Sequence, residues 1–200
     1  MSAHNVFPLE ELNQRISNVR SQMVKANIDG IVITIPENIY YLTELDHWGF
    51  FACHLLVVPR EGEMILVCRA MERITVENQV KNARFFGHAD NEDPADYIVS
   101  ALSELGLINS RIGMEKSSLF LTAKLAESIK VKTPKVDWQD TSSLVSELRL
   151  VKSPLEMEYV RKAAKAADAG MLSAINTIRE GASDYEVCAE CSRSMILAGS

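Results

Sequence analysis

The sequence predicts an α/β fold, a mixed β-sheet flanked by helices, followed by two helices that open a truncated second domain. Three observations carry this. Helical and strand-like runs alternate from residue 9 to about residue 140, the pattern of a sheet with helices on its faces. Two of the strand-like runs, residues 53–58 and 64–68, are joined by Pro59-Arg60-Glu61-Gly62-Glu63, which has the length and turn residues of a hairpin, so the sheet is mixed. Beyond residue 150, two capped helical segments follow each other with no strand between them, which places a domain boundary near 150 and divides the chain into 1–150 and 151–200.

Each element follows from local pattern. Leu9, Leu12, Ile16, Val19 and Met23 recur at steps of three and four and share one helix face. Asp29-Gly30 breaks that period. Residues 31–35 (Ile-Val-Ile-Thr-Ile) then form a short β-branched run, suited to a strand buried on both faces. Pro36-Glu37-Asn38 turns the chain into a helical stretch over residues 39–42. After the hairpin, residues 72–80 read as helix and 83–86 as strand. Asp93 caps a helix with Pro94 at its first position, carrying Tyr97 or Ile98, Leu102 and Leu105 inward and ending at Gly106. Residues 111–115 read as strand, 119–129 as helix and 136–138 as strand.

Ser153-Pro154-Leu155-Glu156 combines a serine cap, a proline at the first position and a glutamate three residues after the cap. The helix it starts extends to about Arg179, with Met157, Val160, Ala164, Ala167, Met171, Ile175 and Ile178 expected on its inner face. Gly181 closes it. Ser183-Asp184-Tyr185-Glu186 is a second capping box, and its helix turns Val187, Cys191 and Met195 inward.

Composition excludes several classes. Hydrophobic residues make up 47% and charged residues 24% of 200 residues, enough apolar surface for a packed core. The net charge is −6 with acids and bases interleaved, and no basic stripe exists to neutralise a phosphate backbone, so neither nucleic acid nor an anionic membrane is an expected partner. Met1-Ser2-Ala3-His4-Asn5 lacks the charged and apolar regions of a secretory signal, and the apolar runs are too short for a bilayer. Four cysteines in this length do not make a disulfide framework, and a cytoplasmic location is expected.

Candidates for chemistry are sparse. Cys188 and Cys191 have redox spacing but fall inside a helix already capped by Ser183, where with Met195 they read as an apolar stripe. Cys53 and Cys68 face each other across the expected hairpin without a disulfide. Of His4, His47, His54 and His88, only His47 and His54, with Asp46, form a cluster, and one chain segment supplies too few ligands for a metal shell. No nucleophile elbow, phosphate loop or catalytic carboxylate pair occurs. The segment 44–51 stands out: Asp46, His47, Trp48, Phe50 and Phe51 join polar tips to aromatic area. Those aromatics either recognise a ligand or partner, or anchor the loop on the core; the sequence leaves both open.

Several segments together resemble the creatinase and Xaa-Pro dipeptidase (prolidase, aminopeptidase P) family: residues 35–43 (IPENIYYLT), 55–63 (LLVVPREGE), 148–156 (LRLVKSPLE), Arg161-Lys162-Ala163-Ala164 and 181–187 (GASDYEV). The resemblance covers nearly the whole chain in order. It implies an amino-terminal α/β domain and the first helices of a pita-bread catalytic domain. In peptidase members that domain holds two divalent metal ions (manganese, cobalt or zinc) through aspartates, a histidine and glutamates. Those positions would fall after Ser200, so no catalytic or metal residue carries over, this chain holds no cofactor, and alone it is expected to be inactive. Creatinase works without metals, through a histidine that would also fall after Ser200.

The resemblance further implies a homodimer in which the amino-terminal domain lends residues to the substrate pocket. By position that loop is 44–54, with Asp46, His47, Trp48, Phe50 and His54 as the substrate-entrance residues. Creatinase carries a Phe-x-Arg arrangement there whose arginine grips the substrate carboxylate. The equivalent here is Phe50-Phe51-Ala52, and a methyl group does not replace a guanidinium's two-point grip. The expected parent is therefore a C–N-bond hydrolase acting on a small peptide or other small amide. A creatinase-type amidinohydrolase is the first alternative. The second is a non-catalytic protein-binding module of the kind found among eukaryotic chromatin chaperones that reuse this architecture.

Overall fold

Strand runs that are apolar on both faces need cover on both faces, and the computed structural model of this chain, which describes residues 6–200, provides it with helices. His4 and the rest of the opening pentapeptide lie outside the described residues. The chain divides into two compact units, Met1–Leu150 and Val151–Ser200.

The first unit contains, in order, α1 (Leu9–Lys25), β1 (Gly30–Ile33), α2 (Pro36–Thr43), β2 (Leu55–Pro59), β3 (Met64–Arg69), α3 (Arg73–Gln79), β4 (Ala83–His88), α4 (Pro94–Glu104), β5 (Arg111–Met114), α5 (Ala123–Lys132), β6 (Asp137–Asp140) and α6 (Leu144–Leu148). Short 3-10 turns occupy Trp48–Phe51 and Ala70–Glu72. The strands form one six-stranded sheet in the order β4-β3-β2-β1-β5-β6. β2 pairs antiparallel with both β1 and β3, and every other pairing is parallel. The mixed sheet expected from the hairpin is thus present, with β2 alone running against the rest.

Alternation along each strand explains the continuous apolar runs. Ile31, Ile33, Leu56, Val58 and Leu66 pack with Ile16, Val19 and Met23 of α1 on one face. Val32, Val57, Ile65, Val67 and Met114 pack with Ile98 and Leu102 of α4 and Ile129 of α5 on the other.

Several boundaries differ from the sequence expectation, each for a local reason. β1 stops at Ile33 because the next two amides, of Thr34 and Ile35, donate to the Glu115 carboxylate. α2 begins at Pro36 itself, with no separate turn over 36–38, since proline needs no partner for a missing N–H. α5 begins at Ala123, four residues later than expected, where the Thr122 side chain accepts from Leu125 N–H.

In the second unit, α7 (Pro154–Thr177) and α8 (Asp184–Leu197) form a hairpin. The Ser153 capping box is complete: Ser153 Oγ accepts from Glu156 N–H at 3.1 Å and the Glu156 carboxylate accepts from Ser153 N–H at 2.8 Å. The second box is only half made. Ser183 Oγ accepts from Glu186 N–H, but the Glu186 carboxylate takes the Arg179 guanidinium instead. The expected inner stripe of α7 is also corrected. Ala166 and Gly170 are the buried residues of α7, while Val160, Met171, Ile175 and Ile178 are exposed. A side chain on Gly170 would meet Met195 of α8, so the missing side chain on α7 makes room for that methionine. Val187, Cys191 and Met195 are half-buried, whereas Cys188 is exposed and not part of that stripe.

Candidate functional site

Because β2 is the only reversed strand among the described residues, the carboxyl ends of β1, β3, β4, β5 and β6 share one edge with the start of β2. In open α/β sheets this edge is where ligands bind, preferentially where the strand order changes direction. Here that point is between β1 and β5.

The β1–β5 end of the edge is plugged by the chain itself. Glu115, fully buried directly after β5, accepts from Thr34 N–H at 2.6 Å, Ile35 N–H at 2.8 Å and Asn38 Nδ2 at 2.6 Å. Asn38 Oδ1 in turn accepts from Arg149 Nη1 at 2.8 Å. Burial raises the Glu115 carboxyl above the ordinary glutamate value, and the N–H donors of Ile35, Thr34 and Asn38 pull it back. This carboxylate is occupied from within the chain and closed to solvent.

The β2–β4 end is different. The loop from α2 to β2 forms the 3-10 turn Trp48–Phe51, and His47 caps it: His47 Nδ1 accepts from Gly49 N–H at 2.9 Å. The same Nδ1 lies 3.3 Å from a carboxylate oxygen of Glu72, brought there by the second 3-10 turn after β3. The His54 ring is 4.7 Å from the His47 ring, centroid to centroid. His54 is 4% exposed; its Nδ1 sits 3.1 Å from the Ala52 carbonyl oxygen, and its buried Nε2 has no partner. Burial drives the His54 pKa down to about 4 against the Ala52 hydrogen bond, with smaller contributions from His47, His88 and Arg69. His88, the last residue of β4, is 5% exposed, and its Nε2 is likewise unpartnered and buried. Arg69, which pairs with His88 in the β3–β4 ladder, is held by Asp90 through hydrogen bonds of 2.7 and 2.6 Å.

The structure brings together two of the five sequence-predicted residues, His47 and His54. Asp46 is exposed, with its backbone N–H and carbonyl both bonded to the Gln79 side-chain amide. Trp48 is 86% and Phe51 74% exposed, so neither anchors the loop on the core of this unit, while Phe50 meets Phe120 edge to face at 5.9 Å. Glu72 and His88 escaped the sequence reading. They arrive from the ends of β3 and β4, and only the parallel pairing of those strands places them beside the histidine loop.

Among the described residues no group of three or more His, Cys, Asp or Glu is placed to hold a metal ion. Cys53 and Cys68 are free thiols, each raised to about 12 by burial. An open groove of about 460 Å³ between α1 and the start of β3 lies at the opposite edge, and its Arg20 is already committed to the Pro59 and Gly62 carbonyls. No helix among the described residues is long and apolar enough to cross a membrane.

A mixed six-stranded sheet with a polar and aromatic loop at its carboxyl edge, followed in the chain by a helical hairpin, defines an α/β domain joined to a second unit. Comparison with known proteins makes the assignment specific: the creatinase/prolidase N-terminal domain matches residues 15–151, and the chain belongs to that family. It is 32% identical to the ectoine hydrolase of Halomonas elongata over 183 residues, which is 87% of this chain and 46% of the relative. A candidate dipeptidase of Bacillus subtilis is 30% identical over 181 residues, 88% of this chain and 48% of the relative. The solved Xaa-Pro dipeptidase from Bacillus anthracis has the same fold, with a TM-score of 0.76 at 23% identity over 94% of this chain and 50% of that one. The chain spans about half the length of the curated relatives it matches.

Proposed function

We propose that this chain is the amino-terminal portion of a C–N-bond hydrolase of the Xaa-Pro dipeptidase type, working as a homodimer in the cytoplasm. Its own task is to shape the substrate entrance and to support dimerisation, and the bond-breaking chemistry belongs to the rest of the parent protein. One observation carries the reading: Trp48 and Phe51 project into solvent from a turn pinned on the sheet's carboxyl edge, above histidines whose buried nitrogens lack partners. A small peptide offers what such a loop takes, an apolar ring or side chain for the aromatics and amide groups for the polar base.

The two divalent metal ions of the peptidase reading do not fit this chain's own residues, since His47, His54, Glu72 and His88 do not converge as ligands. Two measurements test the proposal. The purified 200-residue chain supplied with manganese is expected to leave Xaa-Pro dipeptides intact, and turnover would place the chemistry within it. The reading frame after Ser200 is expected to encode two aspartates, a histidine and two glutamates in peptidase spacing. Their absence would favour the non-catalytic binding module. Light scattering at high concentration checks the dimer.

A further inference from the structure

One ring nitrogen in the aromatic loop has two partners and cannot satisfy both. His47 Nδ1 accepts from Gly49 N–H at 2.9 Å and faces a Glu72 carboxylate oxygen at 3.3 Å. A ring nitrogen carries either one lone pair or one hydrogen. With the lone pair, it caps the turn at Gly49 and confronts the carboxylate with like charge density. With the hydrogen, it donates to Glu72 and the Gly49 amide loses its acceptor. A neutral ring can keep its hydrogen on Nε2 and its lone pair on Nδ1, whereas a doubly protonated ring has no lone pair, so proton uptake ends the cap.

The surroundings confine this choice to His47. Gly49 has no side chain to spare: a Cβ there would stand 2.5 Å from Glu72 Oε1 and 2.6 Å from the His47 ring, so amide, imidazole and carboxylate meet only because residue 49 is glycine. The groups that face the pair are few. From the segment before β2 comes His54, which stays neutral through mildly acid pH because burial depresses it to about 4. From the strand ends come His88, Arg69 with its charge held by Asp90, and the Cys68 thiol, which burial keeps protonated. Asp46, in the same loop, is exposed. Glu72 is therefore the carboxylate to which a charged His47 turns.

We propose that His47 is a proton-operated latch on the aromatic turn, capping Trp48–Phe51 through Gly49 when neutral and releasing it to Glu72 when protonated. Released, the turn keeps its Ala52 N–H to Gly49 carbonyl bond of 3.0 Å but loses the cap that orients Trp48. The latch concerns the loop to which the entrance role is assigned, yet it stands on the geometry of His47 alone. Its test reads the loop and not turnover, so failure of one reading leaves the other to be judged separately.

The test is nuclear magnetic resonance of the ¹⁵N-labelled 200-residue chain titrated between about pH 8 and 5. As the His47 ring becomes doubly protonated, the exchange protection factor of the Gly49 amide is expected to fall by about tenfold or more. In a Trp138→Phe background, where Trp48 is the sole tryptophan, emission is expected to change in the same step. His47→Asn, whose amide oxygen still accepts from Gly49 but takes up no proton, abolishes the step. Glu72→Gln moves it to lower pH in the wild-type His47 background, and this comparison decides the matter should His47→Asn fold poorly. Gly49 protection that stays constant while His47 protonates would overturn the latch. So would a step that survives in His47→Asn or holds its midpoint in Glu72→Gln.

Discussion

The two ends of the sheet's carboxyl edge solve the same problem in opposite ways. At β1–β5 a buried carboxylate accepts from the Thr34 and Ile35 amides and from the Asn38 side chain, with Arg149 closing the network behind Asn38. At β2–β4 the buried side chains are imidazoles, two of them with an Nε2 atom that finds no partner, under a turn whose tryptophan is almost wholly exposed. Unpaired buried polar atoms cost stability, and exposed aromatics gain the chain nothing in its own core. The general rule for open sheets points to the strand-order reversal at β1–β5, but that crevice is filled from within. The difference teaches that a strand-order reversal is closed where the chain's own amides occupy it, whatever the general rule says of its position.

The largest effect that tests this contrast is Glu115→Ala. It strands the Thr34 and Ile35 amides and the Asn38 side chain in a site closed to water, and two or three orphaned donors at about 1–3 kcal/mol each put the loss near 4 kcal/mol. Urea unfolding of the 200-residue chain measures it. A loss under about 1 kcal/mol would mean that the β1–β5 end is not the satisfied, structural end described.

The next effect comes from the other end and depends on pH. The folded His54 has a pKa of about 4, below the ordinary 6.5, so between those values the unfolded chain takes up a proton that the folded chain refuses. Stability therefore falls as pH drops from about 6.5 to about 4, by about 3 kcal/mol, and this contribution is level outside that window. His54→Gln removes the titrating group. The difference in unfolding free energy between the two chains, measured across the window, isolates the slope from every other ionisation. A difference independent of pH would remove His54 from the buried, neutral set.

Much of the scaffold was legible because its causes are local. Ile31 to Ile33 and Leu55 to Val58 are apolar at every position since alternate residues feed two different cores, and Asp93-Pro94 and Ser153-Pro154 announce helix starts by their own chemistry. What stayed hidden was set by distant partners or by composition without contrast. Glu115 looks like the end of a strand until Thr34, 81 positions earlier in the chain, donates to it. Glu72 and His88 join the loop through the β3–β4 pairing, which no short motif encodes. α6 is five residues long, too brief for a helical period to show. In α7 the period was right and the face wrong, because alanines on both sides left no contrast to mark the face on which Ala166 is buried and Gly170 meets α8. The candidate loop was visible as composition, but its acid–base partner was not.

The smallest effect on stability is the one that separates the two ends most cleanly. Trp48 is 86% exposed and caps nothing, so Trp48→Ala is expected to change the unfolding free energy by no more than about 0.5 kcal/mol. If the loop is an entrance for a small peptide, the same substitution in the full-length parent raises KM several-fold with little change in kcat, because an aromatic contact made equally in ground and transition states affects binding alone. Glu115→Ala shows the reverse pattern, a large loss of stability and, in whatever fraction remains folded, an unaltered KM. Should Trp48→Ala destabilise the chain as much as a core truncation, the turn would be part of the packing and the contrast between the ends would collapse. Should it leave both stability and KM untouched, the entrance reading of this loop would fall.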